Sequence, residues 1–163
     1  MQIRLASKED LEEIIKIESI CFPSKEAASE EVIKKRFETF PENFLVAVED
    51  EKVIGFINGC TTEKASLPDK LYHDVKLHNS NGKYQTVFGL DVLPQYRNKG
   101  TAAILLEEFI FLAKERGKNG IVLTCKDYLV HYYEKFGFVN EGISASVNAR
   151  TNRNDMILLF KKV

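Results

Sequence analysis

The sequence predicts an α/β fold built as one domain. Runs rich in β-formers alternate with segments whose apolar residues recur at helical spacing, in the order β-α-α-β-β-β-α-β-α-β-β. One strand, residues 84–92, leads through Arg97-Asn98-Lys99-Gly100-Thr101-Ala102 straight into an amphipathic helix over residues 101–116. The length of 163 residues suits a single domain with a sizeable core, and 44% hydrophobic with 29% charged residues is an ordinary globular composition.

"QIRLA" within residues 1–5 reads as the first strand. Ser7 with Asp10 three residues later resembles a capping box, and Leu11, Ile14, Ile15 and Glu18 to Ile20 give the first helix one apolar stripe. Pro23 disfavours a helical Phe22 and ends it. Ser29 caps a second helix, whose first-turn Glu30 and Glu31 suit the helix dipole and which stops before Pro41. Residues 44–49 and 52–61 form a hairpin turning at Asp50-Glu51. Residues 62–83 are long, polar and glycine-containing, with a short helix over 69–77; a loop of that length is usually functional or mobile. The strand over 84–92, the helix over 101–116, a strand over 121–124, a helix over 129–136 and strands near Val139 and over 156–160 complete the chain.

The junction at Gly100 is the most informative stretch. Glycine lets the backbone approach a ligand, and the first N–H groups of a helix lack intrahelical acceptors and favour an anion. Arg97 and Lys99 add positive charge, so the local physics predicts a phosphate cradle made by the N–H groups of Asn98, Lys99, Gly100, Thr101, Ala102 and Ala103. Neither G-x-x-x-x-G-K-[ST] nor G-x-G-x-x-G is present, which excludes a Walker loop and a dinucleotide fingerprint.

What stands here is R-x-x-G-x-A after "TVFGLDV", followed by "IVLTCKDYLVHYYEKFGF" ending in Y-E-x-x-G-F. In this order, separated by one helix and one strand, these resemble the coenzyme A site of the GCN5-related N-acetyltransferase superfamily. "LTCKDYLVHYYEKFGFVNEGISASV" and "FPENFLVAVEDEKVIGFINGC" are similar to its serotonin (arylalkylamine) N-acetyltransferase branch. The resemblance implies a mixed central sheet flanked by helices, with its fourth and fifth strands splayed, and acetyl-CoA as co-substrate. It places the pantetheine arm against main-chain groups of Leu90, Asp91 and Val92, inserted beside that strand like an added one. Gly89 is either the irregularity this requires or a packing glycine.

Acetyl transfer from a thioester to an amine needs three services. The amine, with a pKa near ~10, must lose a proton. The oxyanion needs a donor. The thiolate benefits from an acid, and the resemblance assigns that role to Tyr133, with Tyr128 and Tyr132 its chemical competitors. The proton acceptor departs from the branch, which carries histidines two and four residues before the position of Leu90; Phe88 and Thr86 stand there and neither is a base. His131, a water chain or an amine arriving neutral are the remaining alternatives. Asp91 is aimed away by strand alternation, and Cys125 lacks an adjacent base.

The formal net charge of −1 gives no basic surface for nucleic acid, and no apolar run approaches the ~20 residues a membrane helix needs. "MQIRLASKEDLEE" lacks a signal peptide's apolar core, so a cytoplasmic location is expected. Cys21, Cys60 and Cys125 are odd in number and widely spaced, arguing against disulfides, and with His73, His78 and His131 they form no metal-ligand pattern. The expected partner is a small-molecule amine, with a homodimer compatible. A protein N-terminus or lysine as acceptor, and a non-catalytic coenzyme A-binding module, are the competing readings. The amine pocket is expected on the far side of Leu90 to Val92, bordered by Phe22, residues 62–83 and residues 144–147.

Overall fold

A computed structural model describes residues 1–144 and 153–161. In chain order the elements are β1 (Gln2–Leu5), α1 (Leu11–Cys21), α2 (Glu30–Thr39), β2 (Phe44–Glu49), β3 (Lys52–Asn58), β4 (Thr61–Thr62), α3 (Asp69–His73), β5 (Tyr84–Thr86), β6 (Gly89–Val92), α4 (Thr101–Glu115), β7 (Gly120–Lys126), α5 (Val130–Glu134), β8 (Val139–Ile143) and β9 (Arg153–Leu159). They fall into two compact units, Met1–Gly59 with Phe88–Phe111 and Cys60–Val87 with Leu112–Val163.

The first unit carries a four-stranded antiparallel sheet in the order β1-β2-β3-β6. The β2–β3 hairpin turns at Asp50 and Glu51, both at positive φ (50° and 65°), the twist a two-residue hairpin requires. Ile14, Ile17, Ile33, Phe40, Phe44 and Phe56 are buried here, and each such side chain contributes about 1.5–3 kcal/mol on leaving water. The buried stripe of α1 is Ile14, Ile17 and Glu18, while Ile20 is half exposed, so the stripe is rotated from the expected one. Ser29 caps α2 as expected, accepting from the Val32 N–H at 3.2 Å.

Ser7 and Asp10 meet, but the hydroxyl is the donor. The Asp10 carboxylate accepts from the Ser7 N–H (2.7 Å), the Ser7 hydroxyl (3.1 Å) and the Arg4 guanidinium (2.7 and 3.0 Å). The Arg4 hydrogen bond is the main reason that the Asp10 carboxyl is held below its ordinary range. A depressed folded-state pKa contributes stability above the unfolded value of about 3.9 and loses it as pH falls through the folded value. Asp10→Asn removes the charge that pairs with half-exposed Arg4 and is therefore expected to cost about 0.2–1 kcal/mol at neutral pH, the range for such an ion pair in contact with solvent. The urea midpoints of the two proteins should converge in acid; an equal gap at both pH values would refute the linkage.

The second unit holds a mixed sheet in the order β4-β5-β7-β9-β8, with β5 parallel to β7 and the other neighbours antiparallel. Residues 62–83 are not structureless. They contain α3 and a short 3-10 turn at Val75–Leu77, bury Leu67 and Leu71, and are clamped by Lys118, whose Nζ donates to the Ser80 and Gly82 carbonyls at 2.9 and 2.6 Å.

The predicted α/β architecture of mixed sheet and flanking helices holds. Two strands expected to be continuous are divided. Residues 52–61 split at Gly59-Cys60 into β3 and β4, and residues 84–92 split at Val87-Phe88 into β5 and β6, with the halves in different sheets. β6 and β7, the fourth and fifth strands of the resemblance, likewise belong to different sheets.

Candidate functional site

β6 is the last strand of its sheet and, among the described residues, pairs with no strand but β3. Its entry is irregular. The Asn58 carbonyl accepts from the Phe88 N–H at 2.7 Å while Asn58 is also the register partner of Gly89, so two residues oppose one, as in a β-bulge. Phe88 consequently faces α2, where the Arg36 guanidinium lies 4.3 Å from its ring centroid. Asp91, three residues on, faces α1. A Cβ added at Gly89 would stand 2.9 Å from Asp91 Oδ1 and 3.4 Å from Glu18 Oε1, so this glycine admits two buried carboxylates close to the strand. Val92 points the other way, towards Leu105 of α4, and Leu90 is half-buried. The irregularity expected at Gly89 is thus present, and Asp91 is buried rather than presented beside Leu90.

The strand leads into the loop through a bond from the Leu93 N–H to the Ile54 carbonyl (2.9 Å) and a 3-10 turn at Pro94–Tyr96. Arg97 does more than carry charge. Its Nε donates to the Val92 carbonyl at 2.9 Å and its Nη2 to Cys21 Sγ at 3.4 Å, fastening the loop to the end of β6 and to α1. Burial, then Asp91, pushes the Cys21 thiol up, against the opposing pull of Arg97. Lys99 Nζ lies 5.8 Å from the Tyr96 ring centroid.

Asn98 (φ 62°) and Gly100 (φ 82°) are left-handed, and this double reversal turns the chain into α4. A Cβ at Gly100 would meet nothing within 4 Å, so open space adjoins the turn. The helix ladder starts with the Ile104 N–H bonding to the Gly100 carbonyl at 3.1 Å. The N–H groups of Thr101, Ala102 and Ala103 therefore precede the ladder and carry the positive end of the dipole. Leu105, Leu106 and Phe109, all buried, fix the helix behind them. One unit thus holds Leu90, Asp91, Val92 and the entire predicted cradle from Arg97 to Ala103.

Tyr133 lies in the second unit, on α5, 8% exposed. Its ring packs edge-on against Tyr132 (5.2 Å between centroids) and Phe138 (5.8 Å). Tyr128 is 81% exposed. Of the base alternatives, His131 is 94% exposed and its Nδ1 lies 2.9 Å from Glu134 Oε1, the arrangement of a solvated surface pair. Thr86 is fully buried and its hydroxyl donates to the Cys60 carbonyl at 3.0 Å. Burial pushes the Cys125 thiol up to about 11, which keeps it protonated near neutrality. Residues 145–147, expected to border the amine, lie outside the described residues. Among the described residues no group of His, Cys, Asp and Glu could hold a metal, and no helix is long and apolar enough to cross a membrane.

Sequence reasoning missed Glu18, Cys21 and Arg153. Glu18, buried in α1, accepts from the Ala28 N–H at 2.8 Å and so shapes the connection to α2. Its signal was a Glu at the helical spacing of Ile14 and Ile17, a position a continuous apolar stripe would fill.

The family model described as "Acetyltransferase (GNAT) family" matches residues 11–138. Serotonin N-acetyltransferase of Mesocricetus auratus is 31% identical over 99 residues, which cover 60% of this chain and 46% of that protein. The chain thus matches about half the length of this curated relative. Among solved structures, the loading GNATL domain of CurA from Lyngbya majuscula superposes with a TM-score of 0.84 over 96% of this chain and 95% of that one, at 16% identity. The GphF GNAT-like decarboxylase in complex with isobutyryl-CoA does so with a TM-score of 0.82 over 99% and 100%, at 20% identity. At such identities these two likenesses speak for the fold alone.

Proposed function

Because the chain belongs to the acetyltransferase (GNAT) family, we propose that it moves the acetyl group of acetyl-CoA to a small primary amine. The observation that carries this reading is the double left-handed turn at Asn98 and Gly100, which leads three first-turn N–H groups to open space at the end of an edge strand. A pyrophosphate is the anion such a cradle suits, and Lys99 adds charge. Among the described residues the outer edge of β6 has no strand partner. There the main-chain groups of Leu90 and the Val92 N–H are offered to the amides of the pantetheine arm, while Asp91 bonds towards β3 and the Val92 carbonyl is held by Arg97. A backbone N–H at this edge suits the thioester oxygen as it becomes an oxyanion.

In the transfer, the amine nitrogen forms a bond to the thioester carbon and the carbon–sulfur bond breaks. The Tyr133 hydroxyl gives its proton to the departing sulfur and regains one through solvent as the nitrogen, on becoming an amide, sheds its second proton. The ammonium proton goes to solvent, since Phe88 and Thr86 occupy the positions where the branch has histidines and His131 already sits beside Glu134 on the surface. A match to serotonin N-acetyltransferases supports a small amine over a peptide acceptor.

Thiol release from acetyl-CoA, followed over a panel of small primary amines and of short peptides, tests the reading. Release with small amines is expected. Release with peptides alone would reassign the acceptor, and coenzyme A binding without release for any amine would make the chain a binding module.

A further inference from the structure

We propose that Arg153 is the docking group for a carboxylate on the acceptor, so that the preferred amine is an amino acid or a comparable amino carboxylic acid. The proposal rests on the acetyl-transfer reading for the identity of its ligand, but its structural basis is independent of it. Arg153 opens β9 opposite Lys126 of β7 and is only 9% exposed. Its Nε donates to the Thr124 hydroxyl at 2.8 Å and its Nη2 to the Thr124 carbonyl at 2.7 Å. The Tyr72 hydroxyl from α3 lies 3.2 Å from the same Thr124 oxygen.

A guanidinium has five N–H donors. Thr124 takes those along the Nε–Nη2 side, which among the described residues leaves the Nη1–Nη2 end of the fork, an edge that can grip a carboxylate with two parallel bonds. Among the described residues no carboxylate forms an ion pair with Arg153. Asp127 is committed to the Asn154 amide. Asp155, two residues along the strand, has its carboxyl pushed up by burial against a hydrogen bond from Ser144. Among the described residues the guanidinium bonds to two neutral Thr124 oxygens and forms no ion pair, so an anionic ligand at its free end gains a charge-assisted contact.

The position suits a substrate group. Arg153 stands at the end of β7 where the chain passes through Asp127–Leu129 into α5, the helix that carries Tyr133. Thr124 fixes the guanidinium plane and Tyr72 fixes the Thr124 hydroxyl, so the fork is held by a second layer rather than left to solvent. Amine and carboxylate on one small molecule would be recognised at two points.

The test pairs α-amino acids and ω-amino carboxylic acids of two to six carbons with their carboxamides, reading acetyl-CoA-dependent thiol release and, separately, calorimetric binding in the presence of coenzyme A. The acids should be favoured in kcat/KM by about 10- to 100-fold, the value of hydrogen bonds to a charged group. Arg153→Met should erase that preference while rates on the amides stay within about threefold, below the range just cited, and Arg153→Lys should restore part of it. Preserved amide turnover shows that the variant is folded. Acids and amides used and bound alike by the native chain, or a preference that survives Arg153→Met, would overturn the proposal. Selective, Arg153-dependent binding of the acids without thiol release would uphold the site and refute acetyl transfer; release from amides without acid preference would do the reverse.

Discussion

Gly100→Asp is expected to abolish acetyl-CoA binding. The substitution places a carboxylate at the turn whose N–H groups are proposed to hold the pyrophosphate. Two like unit charges about 4 Å apart repel by roughly 4 kcal/mol at an effective dielectric of 20. That is about a thousandfold in the dissociation constant. A Cβ at Gly100 meets no protein atom within 4 Å, so backbone strain rather than a clash at that atom is the cost to the fold. Backbone strain at φ 82° accompanies any replacement. Gly100→Asn isolates it, since Asn tolerates the left-handed region about as well as Asp but carries no charge. A calorimetric titration should place Asn between the native chain and Asp; equal affinities for native and Asp proteins would remove the cradle from residues 97–103.

Tyr133→Phe should lower kcat by ~10²–10⁴-fold, the usual contribution of general acid catalysis. One O–H is lost, while the edge-on packing with Tyr132 and Phe138 is retained by the phenyl ring. The dissociation constant of acetyl-CoA should change little, because the cradle and the strand edge are untouched. Tyr132→Phe serves as the control: Tyr132 packs on Phe136 at 5.3 Å, is only half-buried and has no assigned proton to give. If both variants lose less than about threefold, far below the acid-catalysis range, Tyr133 is a packing residue and the leaving thiolate departs without it.

The parts of this protein that were legible in sequence are those fixed by local chemistry. Ser29 before two glutamates, Asp50-Glu51 between two alternating runs and Gly100 before an amphipathic helix each specify a cap, a turn and a helix start without help from distant residues. The strand divisions were not legible. Apolar residues run without interruption through Val87-Phe88, and only non-local bonds, from the Val87 N–H to the Val122 carbonyl and from the Phe88 N–H to Asn58, send the two halves to different sheets. β9 begins at Arg153, three residues before the expected start, because Arg153, Asn154 and Asp155 read as polar loop. Their polar groups are answered across the strand by Thr124, Asp127 and Ser144. The same blindness hid Glu18, whose burial is licensed by an N–H ten residues away.

The bulge at Phe88-Gly89 sets the phase of everything after it. Strand side chains alternate with period two, so one extra residue exchanges the two faces for the rest of the strand. Were the chain one residue shorter at this point, Asp91 would turn towards Leu105 and the apolar side of α4, and Val92 would turn towards Glu18. An already buried carboxylate would exchange its polar surroundings for apolar ones and a valine would meet an acid, although no side chain had been altered. Length at this site is therefore a coded property of the chain, as consequential as identity. Single-residue insertions and deletions, harmless in most surface connections, act between Phe88 and Leu90 as frameshifts of the fold.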